Sequence, residues 1–296
     1  MIAYPNPKPI SFRELVPDIT DTGYATHSLF FHPAKFIPQV VRFCLNEFVP
    51  SAGSVFDPFA GSGTTGLEAV MHGYHAILAD INPLINLFLP IKIPTFTLAE
   101  WQTIYADAHR MLTHLKDISA IPFTMPELPY WYPPMVYQTF SQIWGQFHEL
   151  SPSLSRHVLA LALCKTSKKY SYAEHNMPKL FTSKTKRAWL DNLLANGGTI
   201  DEFIWHDLKT ELHTIYQQVG RLLSAYPQRG NITIYGGVDS ATHHFDMPFV
   251  DAIITSPPYL QAQEYIRTFK LELWWLGWSA DAVRQLASLE IPFRKP

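Results

Sequence analysis

The sequence predicts an α/β fold: a parallel sheet covered by helices and interrupted by a mainly helical insertion. Three observations point there. A strand pattern at Ser54–Phe56 runs into a glycine turn, a helix pattern at Thr64–His72 and a second strand pattern at His75–Ala79. That order is one βαβ unit, whose strands run parallel beneath a crossover helix, in a sheet expected to carry helices on both faces. Helical periodicity then dominates the middle of the chain, and strand patterns return at Ile232–Tyr235 and Ala252–Thr255. With 296 residues and 47% hydrophobic content, the chain can fill the core such a fold needs.

The elements divide into three zones. Residues 1–95 hold an extended lead, a helix near Phe36–Phe48 and the βαβ unit. The longest apolar run, Ile81–Pro94, is broken by Asn82, Pro83, Asn86, Pro90 and Lys92, so it is not a membrane span of about 20 uninterrupted apolar residues. Residues 96–230 form the helical insertion, with segments near Leu98–Lys116, Met135–Leu150, Leu154–Lys165 and Glu202–Ala225. Residues 231–296 return to strands and then to helices near Phe269–Leu276 and after Ser279, with "WWLGW" at Trp274–Trp278 reading as a buried helix end.

Composition narrows the classes further. The opening "MIAYPNPKPI" lacks the basic start and apolar stretch of a secretion signal, and Cys44 and Cys164 alone make no disulfide framework, so a cytoplasmic protein is expected. The thirteen histidines show no HExxH-like spacing, and no metal is assigned. A net charge of -2 hides a local excess: Lys165, Lys168, Lys169, Lys179, Lys184, Lys186 and Arg187 stand against one acid, Glu174, with Tyr170 and Tyr172 among them. Both tyrosines read as packing residues.

The stretch "VFDPFAGSGTTGLEA" places Asp57, Gly61 and Gly63 between strand and helix, where small residues let a ligand approach the backbone and the helix N-terminus offers free amides. Gly63 is followed by Thr64-Thr65, not Lys-Ser/Thr, so this is not a phosphate-binding P-loop, and the GxGxxG spacing is absent too. A carboxylate at Asp57 would repel a pyrophosphate. A zwitterion fits better, its ammonium toward Asp57 and its carboxylate toward the helix amides. Asp80, about 20 residues on, stands where an acid takes ribose hydroxyls. Amino acid plus ribose indicates S-adenosylmethionine. The alternative is a tight structural turn capped by Asp57.

"DPFAGSGTT", followed far downstream by "SPPY" at Ser256–Tyr259, resembles the amino-group DNA methyltransferases, which methylate N4 of cytosine or N6 of adenine with S-adenosylmethionine. The lead Thr26–Phe43 resembles the segment that closes over the methionine end of the cofactor, with His32, Pro33, Ala34, Lys35 and Phe36 as the matching stretch. The resemblance covers about Thr26–Pro83 and Asn231–Trp278, with a weaker echo at Ser171–Lys184. It implies a Rossmann-like methyltransferase core: residues 1–95 hold the cofactor, 96–230 are the candidate target-recognition region and 231–296 are catalytic. It places Asp57, Pro58, Phe59, Gly61, Gly63 and Thr64 around the methionine moiety, Asp80 and Ile81 at the ribose, and Asp239, with Ser240 as the alternative, at the adenine edge.

The prolines give the Ser-Pro-Pro-Tyr turn a chemical purpose. An exocyclic amine is a poor nucleophile because its lone pair is delocalised, so acceptors that favour a pyramidal nitrogen activate it. Pro257 and Pro258 fix φ, and the Pro257 carbonyl with the Ser256 hydroxyl can take both amine hydrogens. Tyr259 offers a face to a base turned out of the duplex. Serine at the head of the turn favours N4 of cytosine; N6 of adenine stays open. The partner is double-stranded DNA, with Lys165, Lys168, Lys169, Lys184, Lys186 and Arg187 on phosphates.

Only 37 residues follow Tyr259, fewer than the strands that complete the core in family members of this order. The core is therefore expected to be incomplete by itself, with an open sheet edge. The chain is then one part of a split enzyme or a non-catalytic subunit that needs a partner chain, or it is truncated, or the middle zone supplies what is missing; a further reading, from related "PPY" turns, is methylation of RNA or a protein glutamine.

Overall fold

The computed structural model describes residues 11, 21–30, 32, 35–116, 121–174, 180–195, 199–246, 250–258 and 264–291. Its centre is a four-stranded parallel sheet, in the order β3-β2-β1-β4, built from β1 (Ser54–Asp57), β2 (His75–Asp80), β3 (Ile232–Gly236) and β4 (Ala252–Ile253). The register pairs Ser54 with His75 through Asp57 with Leu78, Ala76 with Ile232 through Asp80 with Gly236, and Val55 with Ala252. The acids Asp57 and Asp80 thus end neighbouring strands on the same edge of the sheet, where open α/β sheets bind ligands.

Helix α1 (Pro38–Phe48) precedes β1, and α2 (Thr64–Met71) crosses from β1 to β2. The insertion then supplies α3 (Ile85–Lys92), α4 (Leu98–His114), α5 (Pro134–Glu149), α6 (Leu154–Lys169), α7 (Lys184–Ala195) and α8 (Ile200–Ala225). After β4 come α9 (Tyr265–Thr268), α10 (Lys270–Trp275) and α11 (Ala280–Ser288). Local signals set several starts. Thr97 and Glu100 form a capping box on α4, and the Ser153 and Ser279 hydroxyls accept the Arg156 and Ala282 amides at the starts of α6 and α11.

Two helices differ from the sequence expectation. Pro90 lies inside α3, where proline is disfavoured, yet burial of Phe88, Leu89 and Ile91 holds the helix. Helix α7 begins within the basic run, whose charges obscure its single fully buried position, Leu190.

Side chains alternate across the strands as a pleated sheet requires. Val55, Ala76 and Leu78 enter a core that runs continuously from Leu29 to Leu286 and takes in the insertion, while Phe56, Ile77 and Ala79 face the other way. Among the described residues the hydrophobic side chains packed on that second face are Tyr235 of β3 with Phe245 and Val250 of the β3–β4 link, where a helix was expected. Strand β4 is an edge, and its Ile253 is 63% exposed. Trp275 is buried and stacked on Trp144, and Tyr170 and Tyr172 are buried, as their packing role required.

Candidate functional site

The turn after β1 is shaped by two glycines. Gly63 caps α2 at φ +72°, and a Cβ there would meet the Leu89 side chain at 2.6 Å. Gly61, at φ +49°, runs beneath His32, whose ring would lie 2.9 Å from an added Cβ. Both conformations favour glycine, and both approaches require it. The turn borders an open cleft.

The cleft gathers most of the site expected from sequence. Asp57, Pro58, Phe59, Gly61 and Thr64 come from the turn, Asp80 and Ile81 from the end of β2, and Asp239 and Ser240 from the loop after β3. His32, Lys35 and Phe36 close one side from the lead, and Ser256 and Pro258 arrive from beyond β4. Gly63 packs behind the turn, and Pro257 does not line the cleft. Pro33 and Tyr259 lie outside the described residues.

Asp57 is 3% exposed, and its Oδ1 accepts the Phe59 amide at 3.1 Å and the Thr255 hydroxyl at 2.7 Å. The same carboxylate therefore ties the glycine turn to the residue before Ser256. Thr65 adds a second tie, donating to the Ile254 carbonyl at 3.3 Å. Burial raises the Asp57 pKa, against the pull of these donors. Asp80 accepts the Gly61 amide at 2.7 Å on Oδ2 and the Asn82 amide at 2.8 Å on Oδ1. Desolvation raises its pKa to about 6, the two amides opposing and the Asp57 charge adding. Asp239 caps its own turn through Ala241 and Thr242, and Ser240 donates to the Pro58 carbonyl at 2.7 Å.

Three buried groups around this cleft escape sequence reasoning. Lys92, fully buried on α3, donates from Nζ to the Ser62 carbonyl at 2.5 Å and so props the glycine turn from behind; burial drives its pKa far down. Glu68, fully buried on α2, accepts from Tyr24, from His27 at 2.8 Å and from Arg42 Nε at 3.0 Å, pinning the lead against the helix. Glu290, beyond α11, lines the cleft itself. A lone charge in an apolar pattern was the available signal for Lys92 and Glu68; Glu290 offered none.

The basic run divides. Lys168 is buried, its ammonium held by Glu272 at 2.8 Å and the Thr268 carbonyl at 3.3 Å, so it joins α6 to the helices after β4 instead of facing solvent. Lys165 pairs with Glu211, Lys169 with Asp207 at 2.5 Å, and Lys186 donates to the Lys168 carbonyl at 2.9 Å. Burial lowers the Lys186 pKa to about 7. Lys184 and Arg187 are exposed, and the Arg187 guanidinium lies 4.2 Å from the Tyr172 ring centre. Among the described residues no group of three or more His, Cys, Asp or Glu could hold a metal ion, and no helix is long and apolar enough to cross a membrane.

Comparison with known proteins adds to this geometry. The sequence pattern of a family described as DNA methylase matches residues 15–86, which include the lead, the glycine turn and Asp80. The type II methyltransferase M.MvaI of Kocuria varians is 23% identical over 92% of this chain and 62% of its own length. M.BsoBI of Geobacillus stearothermophilus is 24% identical over 94% of this chain and 58% of its own length. M.MjaII of Methanocaldococcus jannaschii is 31% identical over 31% of this chain and 17% of its own. The chain thus spans about three-fifths of the first two relatives. No solved structure gives a significant match.

Proposed function

Because this chain belongs to the amino-group DNA methyltransferase family, we propose that its cleft binds S-adenosylmethionine and that it methylates an exocyclic amine, N4 of cytosine, in double-stranded DNA. The observation that carries this reading is the meeting of the Asp57 turn, Asp80 and Ser256 in one cleft. The donor set fits the cofactor. Asp57, Asp80 and Glu290 are all acids, which suit a sulfonium, an ammonium and ribose hydroxyls and would repel a pyrophosphate.

When bound, the cofactor supplies a methyl group activated by positive sulfur. The chain's own residues do the rest. Asp80 receives the ribose hydroxyls, Asp239 or Ser240 the adenine edge, and His32, Pro33, Lys35 and Phe36 cover the methionine end. The Ser256 hydroxyl, which lines the cleft, accepts one amine hydrogen of the flipped base, and the Pro257 carbonyl, outside the cleft lining, would take the second where the base enters at its mouth. Tyr259 stacks on that base and offsets part of its unstacking. Lys184 and Arg187 are the members of the basic run best placed for phosphates. Serine at the head of the turn supports cytosine over adenine.

Tritiated-methyl transfer to unmodified DNA, followed by digestion to nucleosides, tests the reading. Label in N4-methylcytosine is expected. Label in N6-methyladenine would overturn the choice of base, and label in neither, with cofactor bound, would overturn activity of the chain alone. The edge position of β4 and its exposed Ile253 favour one second reading, in which a partner methyltransferase chain pairs with that edge before transfer occurs.

A further inference from the structure

Glu290 follows α11, in a stretch that matches none of the family's motifs, yet it is 5% exposed and lines the cleft that Asp80 also lines. Its Oε1 accepts the Ile266 amide at 2.5 Å, and the Tyr265 amide also donates to the carboxylate. Tyr265 in turn stacks on His32 at 5.8 Å, the ring that lies over Gly61. Glu290 therefore sits at the base of the wall facing the glycine turn. An ionised carboxylate offers about four acceptor positions, so two amides leave about two for a ligand.

We propose that Glu290 is a further cofactor-binding residue, a carboxylate that accepts hydrogen bonds from the hydroxyl or ammonium groups of the nucleoside ligand alongside Asp80. This rests on the reading of the cleft as an S-adenosylmethionine site. The surroundings support it. The charges that act on Glu290 are the acids Glu264, before α9, and Asp80, at the end of β2; Arg267 is drawn to Glu264 at 2.8 Å, and Arg284 to Asp281. Burial, with both acids adding and both amides opposing, raises the Glu290 pKa to about 7. A ligand donor that requires the ionised form displaces whatever proton Glu290 carries at that pH.

The test is calorimetric titration with S-adenosylmethionine across pH, in buffers of different ionisation heat. From pH 8 to pH 6 the wild-type affinity should fall about 20-fold, about tenfold from Glu290 and about twofold from Asp80. In Glu290→Gln the fall should shrink to about twofold, and affinity at pH 8 should drop about tenfold. Near pH 7 the wild type should release about half a proton per ligand bound, and the variant almost none. A residue that only braced α9 would change affinity without this proton linkage. A variant with the wild-type pH profile and proton release overturns the proposal and leaves the cofactor reading intact. Should the variant fail to melt cooperatively, the wild type decides alone, because binding without proton release at pH 7 overturns the proposal. Wild-type protein that binds no S-adenosylmethionine overturns both.

Discussion

Asp57→Ala is expected to abolish cofactor binding, weakening S-adenosylmethionine by at least about 100-fold through loss of a charge-assisted contact of about 3 kcal/mol. The expectation has two sources. The carboxylate lines the cleft as a partner for the ligand ammonium, and the same group holds the Phe59 amide and the Thr255 hydroxyl. Its removal subtracts the charge and also unfastens the glycine turn from the strand that delivers Ser256. Asp57→Asn separates the two effects, since the amide oxygen can still accept from Phe59 and Thr255 while the charge is gone. Calorimetry on both variants reads the result. Retained affinity in Asp57→Ala would remove the turn from the binding site.

The largest effect on stability is expected from Glu68→Ala, at about 3 kcal/mol, because removing a fully buried carboxylate takes the acceptor from several donors at once. Tyr24, His27 and Arg42 converge on it from the lead and from α1, and Arg42 Nη2 also donates to the Tyr24 hydroxyl at 2.6 Å. His27 meets Glu68 through Nε2, and its Nδ1 has no partner among the described residues, so the ring depends on Glu68 for its placement. Urea unfolding measures the loss directly. An effect under about 0.5 kcal/mol would mean that the lead is held by its apolar contacts, such as buried Leu29 and Phe30, and not by the polar cluster.

What the sequence disclosed follows from how local each feature is. The glycine turn, its flanking strands and Asp80 are fixed by backbone conformation and short spacing, and they stand where the pattern put them. Helices opened by a serine or threonine cap, such as α4 and α6, were legible for the same reason. Helix α3 was not, because Pro90 argues locally against a helix that tertiary burial enforces. The basic run was legible only in part. Charge is visible in one dimension, but the acids that absorb it, Glu211, Asp207 and Glu272, lie about 40 to 100 residues away in sequence. Glu290 was invisible on similar grounds, since only the fold brings the end of α11 to the cleft formed by Asp57 and Asp80.

The most direct measurement of the central claim is calorimetric titration of the purified chain with S-adenosylmethionine, run beside an identical titration with ATP. Both share adenine and ribose, and they differ in the charge presented to the acids of the cleft. Saturable binding of one S-adenosylmethionine per chain, with no heat from ATP, is the predicted result. Binding of ATP without S-adenosylmethionine, or of neither, would contradict it.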